Sequence, residues 1–125
     1  MSLSFFLKIK SVVSILFGIG MVLFYSSLMS IYGITLGQSG ILMTPWSGAS
    51  FIGLGLICWF ASKAESSDLL KGIVLSLFIC DTTGFIVSFI GQVKGAANSL
   101  GWTTVALWLV FAMGLGFYQF LHKEV

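Results

Sequence analysis

The stretch that decides the fold runs from Gly72 to Gln92 and reads GIVLSLFICDTTGFIVSFIGQ. Its 21 residues include a single charged side chain, that of Asp81, close to their centre. A helix rises about 1.5 Å per residue and the hydrocarbon core of a bilayer is about 30 Å thick, so about 20 apolar residues cross a membrane. The stretch therefore predicts a transmembrane helix that carries an acid at mid-depth.

The composition of the whole chain favours the same class of protein. Of its 125 residues, 58% are hydrophobic and 8% are charged, and the mean hydropathy is +1.07. These values lie far outside the balance of a soluble domain. Three further apolar runs are long enough to cross a membrane, at about residues 11–33, 45–62 and 102–121. We expect an all-α integral membrane protein in which residues 1–125 form a single domain, a four-transmembrane-helix bundle.

Local signals predict where these helices begin and end. Gly33 suits a stop after the first run, and Pro45 suits the first position of the second helix, with the preceding threonine as its cap. Ser67 suits the cap of the third helix, and Gly95 closes it. The turn-like segment AANSLG at residues 96–101 leads into the fourth helix.

The lysines predict the orientation, because all six basic residues are Lys. Five are expected on one side of the membrane and Lys94 on the other. The five are Lys8, Lys10, Lys63, Lys71 and Lys123. Since cytoplasmic loops carry an excess of positive charge, both termini should be cytoplasmic, in the cell inner (cytoplasmic) membrane. The net charge of +2 is explained by this bias, so we expect no nucleic-acid partner.

Two segments are expected at the membrane surface. Residues 5–9 should form an interfacial lead-in to an uncleaved first span, with the flanking Lys8 and Lys10 reaching the headgroups. The loop before the second span should be flexible, with its apolar residues 41–43 dipping into the outer interface. Neither segment is long enough to fold into a separate domain.

Asp81 is the principal candidate for a functional side chain. On a helix it shares one face with Gly84, Ser88 and Gln92. An ionised acid at mid-depth costs at least about 2.5 to 3.5 kcal/mol, so Asp81 should face the protein or water, and we expect the neutral acid at pH 7. Polar side chains at similar depth are Tyr25, Ser26 and Ser27 on the first span and Trp108 on the fourth. The predicted ligand or proton site therefore comprises Asp81, Tyr25, Ser26, Ser88 and Trp108.

Two interpretations of this polar cluster stay open. In one, Asp81 binds a proton, a cation or the polar end of a small ligand or lipid. In the other, it is an interhelical hydrogen-bond clamp worth about 0.6 to 2 kcal/mol. The clamp is favoured because a proton relay usually has a second titratable group at depth, and no span contains a basic partner in the predicted boundaries.

Other residue types that carry chemistry are sparse. Cys58 and Cys80 do not form a C-x-x-C pair, and both are interpreted as small buried apolar residues. With one histidine, His122, and no clustered ligands, we expect no metal site. We also expect no catalytic residues and no cofactor, and a bound lipid, quinone or pigment is left open.

Small residues spaced four apart are predicted to pack helices together. The pairs are Ala49 with Gly53, Gly84 with Ser88, and Ala112 with Gly116. Such pairs let helix backbones approach closely. Internal packing is the expected use, and contact with another protein is the alternative.

The chain resembles a known group of proteins in its layout. Its length, its four spans and its glycine-rich second span SGASFIGLGLICWFASK, residues 47–63, are similar to small bacterial membrane proteins that include DoxX-like families. The resemblance implies four helices and says little about activity. Small multidrug-resistance transporters have a similar length and span number, but their acid is a glutamate in the first span, where this chain has none.

Three functions are consistent with these features. The favoured one is a non-enzymatic accessory or assembly subunit of a larger membrane complex, whose partners are membrane lipids and other subunits or further copies of itself. The alternative is a small oligomeric transporter or ion-coupled carrier that uses Asp81. A third is a membrane redox protein that uses Cys58 and Cys80, and it would lose its activity without cysteines.

Overall fold

The computed structural model of the protein describes residues 1–122, so Lys123 lies outside the described residues. All regular secondary structure in the described part is helical, as the sequence predicts. The helices are α1 (Leu3–Leu23), α2 (Tyr25–Ile31), α3 (Gln38–Ala61), α4 (Asp68–Val93) and α5 (Gly101–Gly116), followed by a π-helix (Phe117–His122).

Four helical segments are long and apolar enough to cross a membrane. They are α1, α3, α4 and the continuous segment Gly101–His122. Only 17% to 33% of the most apolar stretch of each is buried within the protein, so most of their side chains point outward. The four predicted runs thus correspond to four helices, with different boundaries.

The chain divides into two compact units. The first is Met1–Ser62, in which α1 packs against α3. The second is Lys63–Val125, described as far as residue 122, in which α4 packs against α5. Each unit is therefore built around one pair of long helices.

The predicted first run, residues 11–33, is not one helix. It begins earlier, at Leu3, because the Ser2 hydroxyl caps α1 by accepting a hydrogen bond from the Phe5 N–H at 3.2 Å. It is interrupted at Phe24, whose φ of −128° and ψ of 37° depart from helical values. The sequence contains no proline or glycine at this point to signal the interruption.

Two glycines end helices as predicted. Gly33, with φ of +73°, follows the short helix α2, and Gly95, with φ of +81°, follows α4. Only glycine adopts this left-handed conformation without steric cost. The start of α4 is also confirmed, since the Ser67 hydroxyl accepts a hydrogen bond from the Leu70 N–H at 3.1 Å.

The predicted start of the second helix at Pro45 is wrong. Helix α3 begins at Gln38 and Pro45 lies inside it, so the preceding Thr44 is a buried helical residue and not a cap. Proline has no N–H to donate to the carbonyl four residues before it, which weakens one turn. The apolar residues 41–43 are nevertheless helical. The expected flexible loop is accordingly shorter.

The prediction that residues 5–9 form an interfacial lead-in is also wrong for those residues of the segment that are buried. Phe6 and Leu7 are buried, and Lys10 is only 3% exposed. They recur at intervals of three or four residues along α1, which places them on one side of the helix with Ser14 and Gly18. The early start of α1 therefore turns this segment into core.

In the first unit the backbones of α1 and α3 meet at two glycines. A methyl group placed on Gly48 would lie 2.7 Å from the Gly18 carbonyl oxygen, and one placed on Gly18 would lie 2.7 Å from the Gly48 carbonyl oxygen. Real Cβ atoms do not approach backbone this closely. Only glycine at both positions lets the two backbones meet here.

This glycine contact belongs to a repeat. The facing pairs are Ser4 with Ser62, Ser11 with Gly55, and Gly18 with Gly48. At one end the Ser4 hydroxyl donates a hydrogen bond to the Ser62 carbonyl oxygen at 2.6 Å. Successive pairs are seven residues apart on both helices, which run antiparallel, and a seven-residue spacing keeps one face of each helix against the other. Small residues at every step fix one register.

The Gly18–Gly48 contact makes a stability prediction. We expect Gly48→Val to cost about 1 to 3 kcal/mol of unfolding free energy, because the added side chain must separate the two backbones. Gly72→Val on α4 is the matched control, since a methyl group there would meet no atom within 4 Å. Thermal unfolding in detergent measures both, and equal losses would contradict the register described above.

Candidate functional site

The helix pair of the second unit is held by large side chains that sit on glycines. The three pairs are Trp108 on Gly84, Phe78 on Gly116, and Gln92 on Gly101. A methyl group on Gly116, for example, would lie 2.9 Å from Phe78 Cε1. Each large side chain comes from the helix opposite its glycine, so α4 and α5 interlock in both directions.

The loop between these helices is closed by the same glutamine. The Gln92 side-chain amide donates a hydrogen bond to the Asn98 carbonyl oxygen at 2.8 Å. The Asn98 side chain in turn accepts one from the Leu100 N–H at 3.0 Å. Gln92, which the sequence places on the same helix face as Asp81, therefore stabilises the loop.

Asp81 is fully buried, with 0% of its surface exposed. It is the last of four buried α4 residues at helical spacing, after Leu70, Val74 and Leu77. The Trp108 indole packs on Gly84, one turn further along the same face. Asp81 thus lies between an apolar core and an aromatic ring.

Several buried oxygens make no hydrogen bond. In the second unit they are Asp81 Oδ2, Thr82 Oγ1 and Gln119 Oε1, and in the first unit Ser11 Oγ. The Asp81 residue does take part in other interactions. Leaving a buried polar atom without a hydrogen bond costs about 1 to 3 kcal/mol. The hydroxyl of Thr82 and the amide oxygen of Gln119 are therefore each able to form a further hydrogen bond.

The structure distributes the predicted site residues over both units. Ser88 is half-buried on α4, seven residues beyond Asp81 and on the same face. Trp108 is half-buried and contacts the turn between them. Tyr25 is half-buried and Ser26 exposed, and both belong to α2 in the first unit. Asp81, Ser88 and Trp108 therefore belong to one unit, and of these Trp108 contacts Gly84, which lies between the other two along α4.

The predicted helix-packing residues fall into two groups. Gly84 and Gly116 accommodate large side chains, and Ala112 is buried at 6% exposure. Ala49 and Gly53 are exposed, and a methyl group on Gly53 would meet no atom within 4 Å. The small residues of the second unit pack internally, whereas Ala49 and Gly53 leave a shallow face of α3 uncovered.

Gly18, Gly48 and Gly55 are small residues that the sequence offers for helix packing, and the seven-residue spacing of Gly48 and Gly55 is the signal for their shared face. The burial of Lys10 has no such signal, because a lysine near the start of an apolar run is typical of a membrane boundary.

The other candidate groups are placed as follows. Cys58 is fully buried on α3 and Cys80 is half-buried on α4. His122 stacks on the Phe117 ring at a centroid distance of 5.4 Å. No group of three or more His, Cys, Asp or Glu side chains that could hold a metal ion occurs within residues 1–122.

Comparison of the chain with known protein families, with curated proteins and with solved structures found no match. The resemblance to DoxX-like families remains a prediction from the layout of the sequence. Functional inference therefore depends on the geometry of the two units.

The Trp108–Gly84 contact can be tested by a double-mutant cycle. We expect Gly84→Val to destabilise the protein by about 1 to 3 kcal/mol, because the indole occupies the space of the new side chain. In the presence of Trp108→Ala the same substitution should cost less, so the two effects should not add. Unfolding free energies of both single variants and the double variant measure this.

Gly72→Val is the matched control on the same helix, because a methyl group at Gly72 would meet no atom within 4 Å. Strict additivity of Gly84→Val and Trp108→Ala would show that the ring does not sit on Gly84. A loss in Gly72→Val equal to that in Gly84→Val would show that the cost comes from valine in the helix and not from the ring.

Proposed function

We propose that the protein is a multi-pass protein of a bacterial inner membrane, with both termini cytoplasmic, and that it serves as a non-enzymatic accessory or assembly subunit of a larger membrane complex. The observation that carries the proposal is the uncovered face of α3. The partner is a transmembrane helix of another subunit. Lipids cover the remaining surface.

Membrane insertion is supported by the apolar side chains that the four long helices expose. Helix α4 alone exposes Leu75, Ile79, Ile86 and Val87. Large apolar side chains exposed in this number are unfavourable in water. Lys71 and Lys94 lie at opposite ends of α4, so the excess of lysine on the Lys71 side favours that side as cytoplasmic.

The uncovered face of α3 comprises Ala49, Ser50 and Gly53. The residues of α3 that contact α1 are different ones, Gly48 and Gly55, whose small size the internal packing already uses. In a bilayer, small residues favour helix association because they let a second backbone come close. A helix with one small-residue face against its own chain and another facing outward has the form of an interface between three helices.

A cross-linking experiment tests the subunit role. A photoreactive phenylalanine derivative at Gly53 should give one adduct of defined mass in membranes, with a protein other than this chain. The same group at Gly72 is the matched control, since both are helical glycines with open space around them. Gly53→Ile should remove the partner from the purified complex, because the larger side chain fills the face.

Three outcomes would contradict the subunit role. These are a chain that purifies from mild detergent as a monomer, an adduct that contains only a second copy of this chain, and partner loss in Gly72→Ile as well as in Gly53→Ile. The second outcome would establish self-association.

The alternative, an ion-coupled carrier, is favoured by the burial of Asp81 within α4. A titratable side chain inside a membrane helix is by default a candidate for proton or cation handling. Thr82 and Gln119, in the same unit, have buried oxygens able to accept hydrogen bonds from a ligand. A carrier of this size would work as an oligomer, because four helices enclose little space.

Proton flux into vesicles tests this alternative. In pyranine-loaded proteoliposomes under a potassium diffusion potential, Asp81→Asn should abolish any flux while leaving the melting temperature unchanged, since the amide has nearly the same shape as the acid. Asp68→Asn, in the exposed first turn of α4, is the control and should keep the flux. Equal flux in the Asp81 variant would exclude the carrier.

A further inference from the structure

We infer that α1 alone makes the first membrane crossing, ending at Leu23, and that residues 24–37 form an interfacial segment that binds neutral lipid headgroups at the outer surface. This inference rests on the membrane insertion proposed above. Three features of the first unit support it: the register of α1 on α3, the backbone at Phe24 and the side chains that follow.

The register makes the two predicted spans of this unit incompatible. The Ser4–Ser62 hydrogen bond sets the two helix ends at one level, and the Gly18–Gly48 contact keeps the same offset further along. At that offset Pro45 is level with Met21. A second span over residues 45–62 therefore pairs with residues 4–21 of α1, and not with residues 11–33.

The length of the helices gives the same boundary. Lys63, directly after Ser62, marks the cytoplasmic end of α3. About 20 residues cross the hydrocarbon core, which places the outer boundary near Met43. Met43 is level with Leu23, the last residue of α1. The helix thus ends where the membrane does.

The backbone at the break requires a polar environment. Both backbone groups of Phe24 are hydrogen-bonded. Its N–H donates to the Gly20 carbonyl oxygen, and its carbonyl oxygen accepts from the Leu28 N–H. The N–H groups of residues 25–27 form no backbone hydrogen bond across the break in the described structure. Each such group costs several kcal/mol in hydrocarbon but is satisfied by water at the headgroups. The break is therefore expected at the interface.

The side chains that follow match a membrane interface. Leu23 and Phe24 are 65% and 62% exposed, and the neighbouring ring of Tyr25 and hydroxyls of Ser26 and Ser27 add polar groups. Aromatic residues that combine an apolar body with a polar group are enriched at this depth. Residues 24–47 contain no charged side chain. Because attraction to anionic lipids needs basic residues, the segment gains nothing from anionic headgroups, and neutral ones satisfy its polar groups.

Cysteine labelling in membranes tests the inference. Three variants, Ser26→Cys, Ser39→Cys and Ser50→Cys, are made with Cys58 and Cys80 replaced by alanine. All three serines are exposed in the structure. Because Ser50 also lies on the face proposed for the partner helix, its protection is measured in membranes that contain this chain alone, where differences in labelling report membrane depth. In lysed membranes, a water-soluble maleimide should label Ser26→Cys within about threefold of the rate of Ser39→Cys, and at least about tenfold faster than Ser50→Cys at mid-depth.

The outcomes separate the inference from the proposed insertion. If Ser50→Cys is protected and Ser26→Cys is equally protected, the first span continues past Phe24 and the inference is overturned, while insertion stands. If Ser50→Cys reacts as fast as Ser39→Cys, insertion itself fails. Added anionic lipid should leave the labelling rates unchanged, and a fall in the Ser26→Cys rate would contradict the preference for neutral headgroups.

Discussion

The contact between Gly18 and Gly48 is the constraint on which the first unit depends. It brings the backbones of α1 and α3 closer than any other residue pair would allow, and so it fixes which residues face each other. The Ser4–Ser62 hydrogen bond and the Ser11–Gly55 contact follow at the same offset. On α1 this series of facing small residues reaches Gly18, and the helix ends five residues later, at Leu23. These contacts fix the register, and the membrane boundaries inferred above follow from it.

The second unit uses glycine differently. Its glycines accommodate large side chains from the facing helix, as Gly84 does for Trp108 and Gly116 for Phe78. This arrangement places a bulky ring one turn from Asp81 and keeps the acid away from water. The arrangement suits both interpretations of Asp81, because a hydrogen-bond clamp and a proton site both need a buried, well-positioned carboxyl group. Only a measured flux separates them, since the geometry of Asp81 is the same in both.

Much of the fold could be predicted from the sequence, because the number of long apolar helices follows from apolar length and the ends of α4 follow from Ser67 and Gly95. The start of α3 could not, since the rule for proline at a first helical position ignores the apolar residues before Pro45. The break at Phe24 could not either, because no residue there disfavours helix. In the candidate site, helical periodicity predicts the face shared by Asp81 and Ser88. The contact of Trp108 with Gly84 could not be predicted, because it depends on the register between α4 and α5. Periodicity predicts faces, and tertiary contacts decide partners.

The most direct test of this account is disulfide formation between α1 and α3 in membranes, with Cys58 and Cys80 replaced by alanine. The account predicts that a chain with Ser4→Cys and Ser62→Cys cross-links on oxidation. A chain with Ser11→Cys and Ser62→Cys should not, because Ser11 lies seven residues, about 10 Å, along α1 from Ser4. Adding Gly48→Leu should abolish the first cross-link. A cross-link between positions 11 and 62, or one between positions 4 and 62 that survives Gly48→Leu, would contradict the claim that the glycine contact sets the register.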